Sequence, residues 1–367
     1  MEGVNRKKRR EGDFILFAII MLLLAIGTIM IYSASSYTSL YKEGDSMLYL
    51  KKQLQWVVLG IISMLLVMKI DYHKYKKFAF WILVGCIPLL LLVFLFDDKN
   101  GAQRWIYVGP LSFQPSELTK YAIVLFLAMS IENKGEKIKE FKQGLVPYLL
   151  ISGLFAGLIL AEKNLSIATV IMMVTMIILF VAGARAKHIF GIVVPGLLAA
   201  VLGLAFSAEY RRARMLNFLN PWKDAAGDGY QLVQSFYALG SGKLLGLGLG
   251  NSRQKCFYMP EPHNDFIFSI IGEELGFIGA LFIIILFLLF IWRGIMIAQK
   301  AKDTYGTLLA IGITSVIAVQ AVINIAVVTG SMPVTGVPLP FISYGGTSLV
   351  INMIAMGVLM NISKTTN

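Results

Sequence analysis

The sequence has 367 residues, of which 57% are hydrophobic and 15% charged, and its mean hydropathy is +0.72. Because soluble proteins carry roughly a quarter charged residues, this composition excludes a chain built only from soluble globular domains. The net charge of +12 does not indicate a nucleic-acid partner, since Lys and Arg collect in short segments between apolar runs, as topology signals in membrane proteins do. We predict a single polytopic membrane domain over residues 1–367 and no binding of nucleic acid.

A basic segment precedes the first apolar run. Residues 6–10 are all Lys or Arg, and apolar residues follow from Phe14 to about Tyr32. This run can cross the hydrocarbon core, which takes about 20 apolar residues, and no clear small-residue cleavage pattern follows it. We therefore predict a cytoplasmic basic tail over residues 1–13 and a retained first transmembrane helix.

Further apolar runs of similar length continue along the chain. Backbone groups in lipid must be paired within the protein, so such runs cross the bilayer as helices. The predicted fold is an all-α integral membrane protein, a bundle of about ten transmembrane helices with a large extracytoplasmic loop between helices 7 and 8. The predicted spans are residues 14–34, 53–70, 77–97, 116–132, 145–161, 164–183, 188–207, 265–292, 305–330 and 343–362.

The distribution of Lys and Arg predicts the orientation. With the N-terminus inside, 19 of these residues fall in inside segments and 13 in outside segments, and seven of the 13 belong to the long loop 208–264. The positive-inside rule is weak for long loops, so the contrast over short loops is sharper still. We predict that both termini are cytoplasmic and that the loop 208–264 is extracytoplasmic, in a multi-pass protein of the bacterial cytoplasmic membrane.

The loop 208–264 is too long for an ordinary connection, and such loops are usually functional or disordered. Aromatic residues are spread along it, which argues against disorder. Five glycines between residues 240 and 250 resemble a phosphate-binding loop but lack its strand–loop–helix context. We predict short amphipathic helices on the outer surface with Gly-rich turns between them.

Asp265 stands where this polar loop becomes a long apolar run. The predicted orientation puts it at the outer face, where it is the candidate catalytic residue. The alternative interpretation is a helix cap, because a carboxylate stabilises a helix N-terminus; Asn264 could take that role and leave Asp265 for chemistry. Glu273 and Glu274, two to three turns deeper, are interpreted as structural groups that pair with a cation or a backbone amide.

Two further regions place polar groups at membrane depth, where such groups are costly and are usually paired or functional. Glu117 and Lys120 are three residues apart after a proline and share a helix face; they form an internal ion pair, or Lys120 meets an anionic substrate, or both. Residues 329–346 are rich in Gly and Pro, and irregular backbone at this depth is tolerated only inside protein or beside a cavity. This second region is a candidate substrate site that includes Ser343, Gly345 and Gly346, or a plain re-entrant turn.

Basic residues at the predicted outer face form the last candidate group. Arg104, Arg211 and Arg214 are candidates for a pyrophosphate site, although their charge alone favours generic contact with anionic lipid. The three histidines and two cysteines show no metal-ligand spacing, so no protein residues are predicted as metal ligands.

Four long motifs, in order, resemble the SEDS family of bacterial cell-wall proteins (shape, elongation, division and sporulation). They are RWIYVGPLSFQPSELTK at 104–120, RRARMLNFLNPWKDAAGDGYQLVQSFYALGSGKLLGLGLGNSRQK at 211–255, MPEPHNDFIFSIIGEELGFIG at 259–279 and TGSMPVTGVPLPFISYGGTSL at 329–349. The resemblance covers nearly the whole chain. The second and third motifs are more similar to the division and sporulation branch (FtsW and SpoVE) than to the elongation branch (RodA).

The resemblance implies ten helices with both ends in the cytoplasm, and polymerisation of lipid II into glycan strands. It also implies two kinds of partner: a class B penicillin-binding protein, the transpeptidase that crosslinks the strands, and other membrane proteins of division or sporulation. By resemblance, Asp265 is tied to catalysis, and Glu117 and Lys120 match a polar pair in the fourth helix. Residues 162–166 read EKNLS where many relatives read QPDLG, so Asn164 cannot act as a base here.

An α-linked donor that gives a β-1,4 product requires inversion, and a single in-line displacement needs one base and positive charge on the departing pyrophosphate. We expect Asp265 to be the base, and Lys120, Arg211, Arg214 or a divalent metal (Mg or Mn) to hold the pyrophosphate. Two other functions fit the same features: a flippase that moves lipid II across the bilayer, and a non-catalytic scaffold for the penicillin-binding protein.

Overall fold

The computed structural model describes residues 12–96, 103–109, 111–206 and 209–366. Within these ranges the chain is almost entirely helical, with one short antiparallel hairpin of β1 (Ile106–Val108) and β2 (Leu111–Phe113). The helices are α1 (Phe14–Glu43), α2 (Leu48–Val67), α3 (His73–Leu92), α4 (Pro115–Lys134), α5 (Val146–Ala161), α6 (Leu165–Val181), α7 (Ala186–His188), α8 (Val194–Phe206), α9 (Glu209–Leu219), α10 (Tyr230–Gly242), α11 (Ile267–Lys300), α12 (Thr304–Val328) and α13 (Gly346–Thr366).

Each predicted span coincides with helical chain, and the all-α membrane fold is confirmed. The span predicted at 188–207 is α7 and α8, joined through the π-helical turn Ile189–Val193. Seven helices of the described residues are long and apolar enough to cross a bilayer: α1, α2, α3, α5 with the turn before it, α11, α12 and α13. Helix α6 and residues 186–200 are apolar but shorter, and α4 carries buried charges. The count of ten crossings stays a prediction.

Helix α12 forms the centre of the bundle. It packs against α4, α6 and α11, and 78% of its most apolar stretch is buried, against 17% for α2 at the periphery. The outer helices expose large apolar side chains such as Trp81, Leu150 and Leu198. A contiguous apolar surface of this kind is stable against lipid and costly in water, so the outer surface of the bundle is the one that meets the bilayer.

The long helix α11 is broken at Gly276, where φ is 67° and ψ is −169°. The break frees backbone groups, and residues 243–248 pair with them. Phe277 N donates to Lys243 O at 2.9 Å, and Leu247 N donates to Glu273 O at 3.0 Å. The sequence predicted one uninterrupted span over 265–292; the structure instead has two helical pieces, because part of the Gly-rich loop enters the bundle and replaces the lost helical hydrogen bonds.

Glu273 and Glu274, just before this break, hold the same loop by their side chains. Glu274 forms a buried ion pair with Lys255 at 2.9 Å and accepts a hydrogen bond from Ser33 of α1. Glu273 accepts hydrogen bonds from the backbone N–H of Arg253 at 3.0 Å and from neighbouring groups of the loop. The structural interpretation of both carboxylates, paired with a cation and with backbone amides, is confirmed.

The long loop contains the predicted short helices, α9 and α10, with a Gly-rich turn after α10. Their predicted position was partly wrong. Helix α10 does not only lie on a surface, because it packs against α11 and α12 and buries Leu232, Val233 and Ala238. Ser235 on the same helix donates a hydrogen bond to Val328 O at 2.7 Å. The loop is therefore an ordered part of the bundle.

The first and last described helices are tied together at one end of the bundle. Asp13 accepts a hydrogen bond from Leu16 N as the cap of α1, forms an ion pair with Arg293 of α11, and donates from its backbone N–H to Ser363 Oγ at 3.0 Å. Since α11 begins at Ile267 and reaches Arg293 more than 20 residues later, Asp265 lies at the opposite end of the bundle. We call that opposite end, which holds Asp265, the site end.

Substituting Gly276 by Ala tests the break in α11. A Cβ there would lie 2.3 Å from Gly246 N, at a φ that L-residues rarely adopt, and strain of this kind costs about 1–3 kcal/mol. We expect a clear fall in the apparent melting temperature of the detergent-solubilised protein. Gly85→Ala is the matched control, because its Cβ would meet nothing within 4 Å. Equal melting temperatures for the two variants would contradict the role assigned to Gly276.

Candidate functional site

Asp265 is half-buried in the turn that precedes α11. The N-cap position of this helix is Phe266, whose own side chain makes no capping hydrogen bond. Asp265 therefore precedes the N-cap position by one residue, and the capping interpretation of its carboxylate stays a prediction. Asn264 precedes the N-cap position as well, and its Nδ2 donates to Glu261 Oε2 at 2.7 Å. Asp265 thus lies in a short, irregular segment, at the site end of the bundle.

A single asparagine joins Asp265 to the Gly- and Pro-rich segment 329–346. The Nδ2 group of Asn324, in the last turns of α12, donates to Asp265 O and to Val337 O, both at 2.7 Å. The Asp265 carboxylate also lies close to this segment: a Cβ built on Gly336 would be 3.6 Å from Asp265 Oδ2. The candidate region of the sequence begins at Asn324, but no role for this side chain is predicted, because an Asn near the end of an apolar helix carries no distinctive pattern.

Two more hydrogen bonds fasten the residues just before Asp265 to the same segment. Ser343 Oγ donates to Asn264 O at 2.7 Å and accepts from Leu339 N at 2.8 Å. Tyr344 N donates to His263 O at 2.9 Å. Segment 263–265 and segment 337–344 therefore form one hydrogen-bonded unit. In this structure the predicted site residue Ser343 supports that unit.

The second half of the irregular segment, residues 337–343, is largely enclosed by protein, whereas Thr329, Ser331 and Gly336 are exposed. Val337, Leu339 and Phe341 are almost completely buried. After the segment, Gly346 begins α13 against the indole of Trp56, where a Cβ would lie 2.4 Å from Trp56 Cε2. Gly345 and Gly346 thus lie where the segment turns into a helix. Whether they touch a substrate stays a prediction.

His263, two residues before Asp265, adds no charge to the site. Its imidazole is buried between the rings of Tyr49 and Tyr344, whose centroids are 4.4 and 5.8 Å away. This burial lowers the pKa of His263 to about 4, against the opposing effect of Glu261. At neutral pH the imidazole is therefore uncharged, and it does not neutralise the Asp265 carboxylate.

Glu117 and Lys120 form the predicted internal ion pair near the start of α4. The Lys120 Nζ–Glu117 Oε2 distance is 2.9 Å, and both side chains are almost fully buried. Ser348 of α13 donates a further hydrogen bond to Glu117 Oε2 at 2.7 Å. A buried pair needs such extra hydrogen bonds to offset the loss of hydration. Contact between Lys120 and a substrate stays a prediction.

Arg104, from the segment before β1, lies against the turn between α5 and α6. Its Nη2 donates to Lys163 O at 2.5 Å and its Nε donates to Glu162 O at 3.4 Å. The side chains of Arg211 and Arg214 lie outside the described residues, although their backbone belongs to α9. The structure therefore brings together Asp265, Ser343 and the segment 329–346, and it places Arg104 at a separate turn.

Glu162, in the turn that Arg104 holds, is a titratable group that sequence reasoning missed. Its side chain is 1% exposed, and neither carboxyl oxygen has a hydrogen-bond partner among the described residues. Burial raises the pKa of Glu162 to about 8, although the Arg104 guanidinium acts in the opposite direction. Asn164 accepts a hydrogen bond from Ile167 N at 3.3 Å as the cap of α6. An acidic residue between two apolar runs gave no signal of this burial.

No three His, Cys, Asp or Glu side chains in the described ranges are grouped so that they could hold a metal ion. Asp265 by itself does not make a metal site. Mg²⁺ commonly binds through one or two carboxylates together with substrate phosphates and water, so most ligands of a divalent ion would have to come from a pyrophosphate. The expected role of Mg or Mn stays a prediction.

The sequence of the chain matches a family model and is similar to named proteins of two bacteria. Residues 13–367 match the family model FtsW/RodA/SpoVE, described as a cell cycle protein. Stage V sporulation protein E of Bacillus subtilis (strain 168) is 46% identical over 360 residues, which covers 97% of this chain and 98% of that protein. A probable peptidoglycan glycosyltransferase FtsW of Geobacter sp. (strain M18) is 42% identical over 362 residues, with 97% and 98% coverage.

Two solved structures share the fold. One comes from a study of the structural coordination of polymerization and crosslinking by a peptidoglycan synthase complex; its matching chain is 27% identical, with a TM-score of 0.80 and coverage of 97% and 98%. The other is the rod shape determining protein RodA of Thermus thermophilus, 25% identical, with a TM-score of 0.72 and 96% of each chain covered.

The buried carboxyl of Glu162 predicts a pH dependence of stability. A carboxyl whose pKa rises to about 8 on folding costs no stability below its ordinary value of 4.5, and its cost grows between pH 4.5 and pH 8. Glu162→Gln removes this titration. We expect the variant to melt at a higher temperature than the unmodified protein at pH 8.5, with the difference shrinking toward pH 5. Glu43→Gln, at an exposed position, is the control. A difference independent of pH would contradict the assignment.

Proposed function

Because the chain belongs to the FtsW, RodA and SpoVE family, we propose that it is a multi-pass membrane peptidoglycan glycosyltransferase that polymerises lipid II with Asp265 as the general base. It serves cell-wall synthesis in division or sporulation. The reaction takes place at the outer face of the cytoplasmic membrane, and both termini are cytoplasmic. A class B penicillin-binding protein that crosslinks the strands is the proposed partner; the complex described for one relative, which couples polymerization to crosslinking, supports this pairing.

The observation that carries the proposal is the setting of Asp265. The residue is half-buried, its carboxylate lies against Gly336, and it precedes the N-cap residue Phe266 in an irregular turn. Its backbone is fixed by Asn324. A general base works best when its geometry is fixed and it stays accessible to the proton that it removes. This arrangement supports a catalytic role better than a structural one.

In the proposed reaction the 4-hydroxyl oxygen of the acceptor GlcNAc attacks the anomeric carbon of the donor. Asp265 takes the hydroxyl proton as the new glycosidic C–O bond forms. The bond between the anomeric carbon and the pyrophosphate oxygen breaks, and its electron pair leaves with undecaprenyl pyrophosphate. Positive charge must stabilise this leaving group. Lys120, Arg211 and Arg214 are the proposed cations, and Lys120 would have to share its charge between Glu117 and the pyrophosphate.

Asp265→Asn tests the base directly. The amide keeps the size of the side chain but cannot accept the proton, so polymerisation of labelled lipid II by the purified complex should fall by about 10²–10⁴ fold. Asp45→Asn, at a partly exposed position of the α1–α2 connection where the carboxylate pairs with Lys51, should keep full activity. Polymer formation by Asp265→Asn at the normal rate would refute the base assignment. Proteoliposomes that translocate lipid II without making polymer would identify a flippase, and the absence of both activities would identify a scaffold.

Asn324→Ala tests the support of Asp265. It removes two backbone contacts of the site, worth about 1 kcal/mol each, and should lower kcat about tenfold with little change in KM. The matched control is Asn361→Ala. Asn361 also joins two separate backbone groups, accepting from Tyr72 N at 2.9 Å and donating to Met68 O at 3.0 Å, but at the end opposite to Asp265. Both variants should lose similar stability, and only the first should lose turnover; equal turnover in the two would contradict the positioning role.

A further inference from the structure

A polar cavity lies beside the Asp265 segment, outside the residues discussed so far. It has a volume of about 180 Å³ and lies between the end of α9, the turn before α10, and α10 itself. Its lining includes Asn217, Phe218, Asp228, Gln231, Leu232 and Val334. Five of these six belong to the long loop, and the sixth belongs to segment 329–346, so the cavity joins the two regions.

The cavity is close to the proposed base. Val334, in its wall, is two residues from Gly336, and two residues of chain span at most about 7 Å. A Cβ on Gly336 would in turn lie 3.6 Å from Asp265 Oδ2. Thr335, between these two residues, has a buried hydroxyl with no hydrogen-bond partner among the described residues. The backbone of Val334 therefore lies within roughly 12 Å of the Asp265 carboxylate.

The wall of the cavity is held in place next to this segment. Ser235 of α10 donates to Val328 O at 2.7 Å. At Gly330, a Cβ would lie 2.4 Å from the ring of Phe236, so α10 and the start of segment 329–346 are in direct contact. The turn before α10 is also ordered, since Asp228 N donates to Asp224 Oδ2 at 2.9 Å. The cavity is thus formed by packed elements.

The chemistry of the lining selects an uncharged, hydroxyl-rich ligand. Asn217 and Gln231 each offer an amide that both donates and accepts hydrogen bonds, and the Asp228 carboxylate accepts from hydroxyl groups. Phe218 and Leu232 provide apolar surface for C–H groups. No Lys or Arg is among the described residues of the lining, and the Asp228 carboxylate favours hydroxyl donors over a phosphate at its own edge of the cavity.

The volume of the cavity also limits the size of the ligand that can bind in it. Pockets for drug-sized molecules measure roughly 300–1,000 Å³, so about 180 Å³ suits one pyranose ring and not a disaccharide. Resting on the glycosyltransferase function proposed above, we propose that this cavity binds the GlcNAc ring of the acceptor. Bound there, the ring directs its reacting hydroxyl toward Asp265, while the donor pyrophosphate lies elsewhere. Asn217 and Gln231 are the residues that select this sugar.

Polymerisation kinetics give the first test. Gln231→Ala and Asn217→Ala in the purified complex should each raise the KM for lipid II about tenfold, as expected for the loss of one or two hydrogen bonds, with kcat within about twofold. Gln234→Ala is the matched control, because it removes the same side chain from the same helix outside the cavity lining. Asp228→Asn, at an exposed position that tolerates change, should raise KM as well. Unchanged KM in all three cavity variants would overturn the proposal.

Direct sugar binding gives a readout that does not depend on turnover. Saturation-transfer NMR on the full chain in nanodiscs, with the methyl β-glycoside of GlcNAc as probe, should show contact with the unmodified protein and with Asp265→Asn. The signal should disappear in the Asn217→Ala, Gln231→Ala double variant and persist in Gln234→Ala. Binding that survives the double variant, or no binding to the unmodified protein, would overturn this inference. Sugar binding without polymerisation by the unmodified complex would overturn the proposed function alone.

Discussion

Irregular backbone enclosed in a membrane bundle must find every hydrogen-bond partner within the protein, and Asn324 meets this requirement at the centre of the candidate site. One amide nitrogen donates to Asp265 O and to Val337 O, and so joins the start of α11 to the Gly- and Pro-rich segment. Helix α12, which carries Asn324, is the most enclosed of the apolar helices. The position of Asp265 is thereby tied to the most rigid element of the fold.

The same constraint operates a second time at the break in α11. Gly276 opens the helix, residues 243–248 pair with the freed backbone groups, and Glu273 and Glu274 hold the rest of the Gly-rich loop through hydrogen bonds and the Lys255 ion pair. The neutral amide of Asn324 and the carboxylates of Glu273 and Glu274 thus both supply hydrogen-bond partners to irregular backbone. Together they keep the long loop attached to the bundle on either side of Asp265.

The charged and titratable side chains near the site end are mostly engaged with other protein groups or neutral. Lys120 is paired with Glu117 inside the bundle, and Arg104 is engaged with the carbonyls of the α5–α6 turn. His263 is neutral because burial lowers its pKa to about 4. The charged group that the structure describes in the turn before Asp265 is Glu261, which accepts a hydrogen bond from Asn264. The cations of the site end that the structure describes are thus held by other protein groups, as Lys120 is by Glu117 and Arg104 by the α5–α6 turn.

The sequence by itself determined the membrane fold, the helix positions, the candidate Asp265 and the Glu117–Lys120 pair, because hydropathy over 20 residues and helical spacing of charges are local properties that any single chain displays. It also marked segment 329–346, since Gly and Pro at membrane depth conflict with a helix. Only the tertiary structure decided that α11 begins after Phe266, that Asn324 and Ser343 hold the Asp265 segment, that Glu162 is buried, and that a polar cavity adjoins Val334. These features depend on residues far apart in the chain, such as Asp265 and Asn324, whose contact follows from how the helices pack and not from any pattern along the sequence.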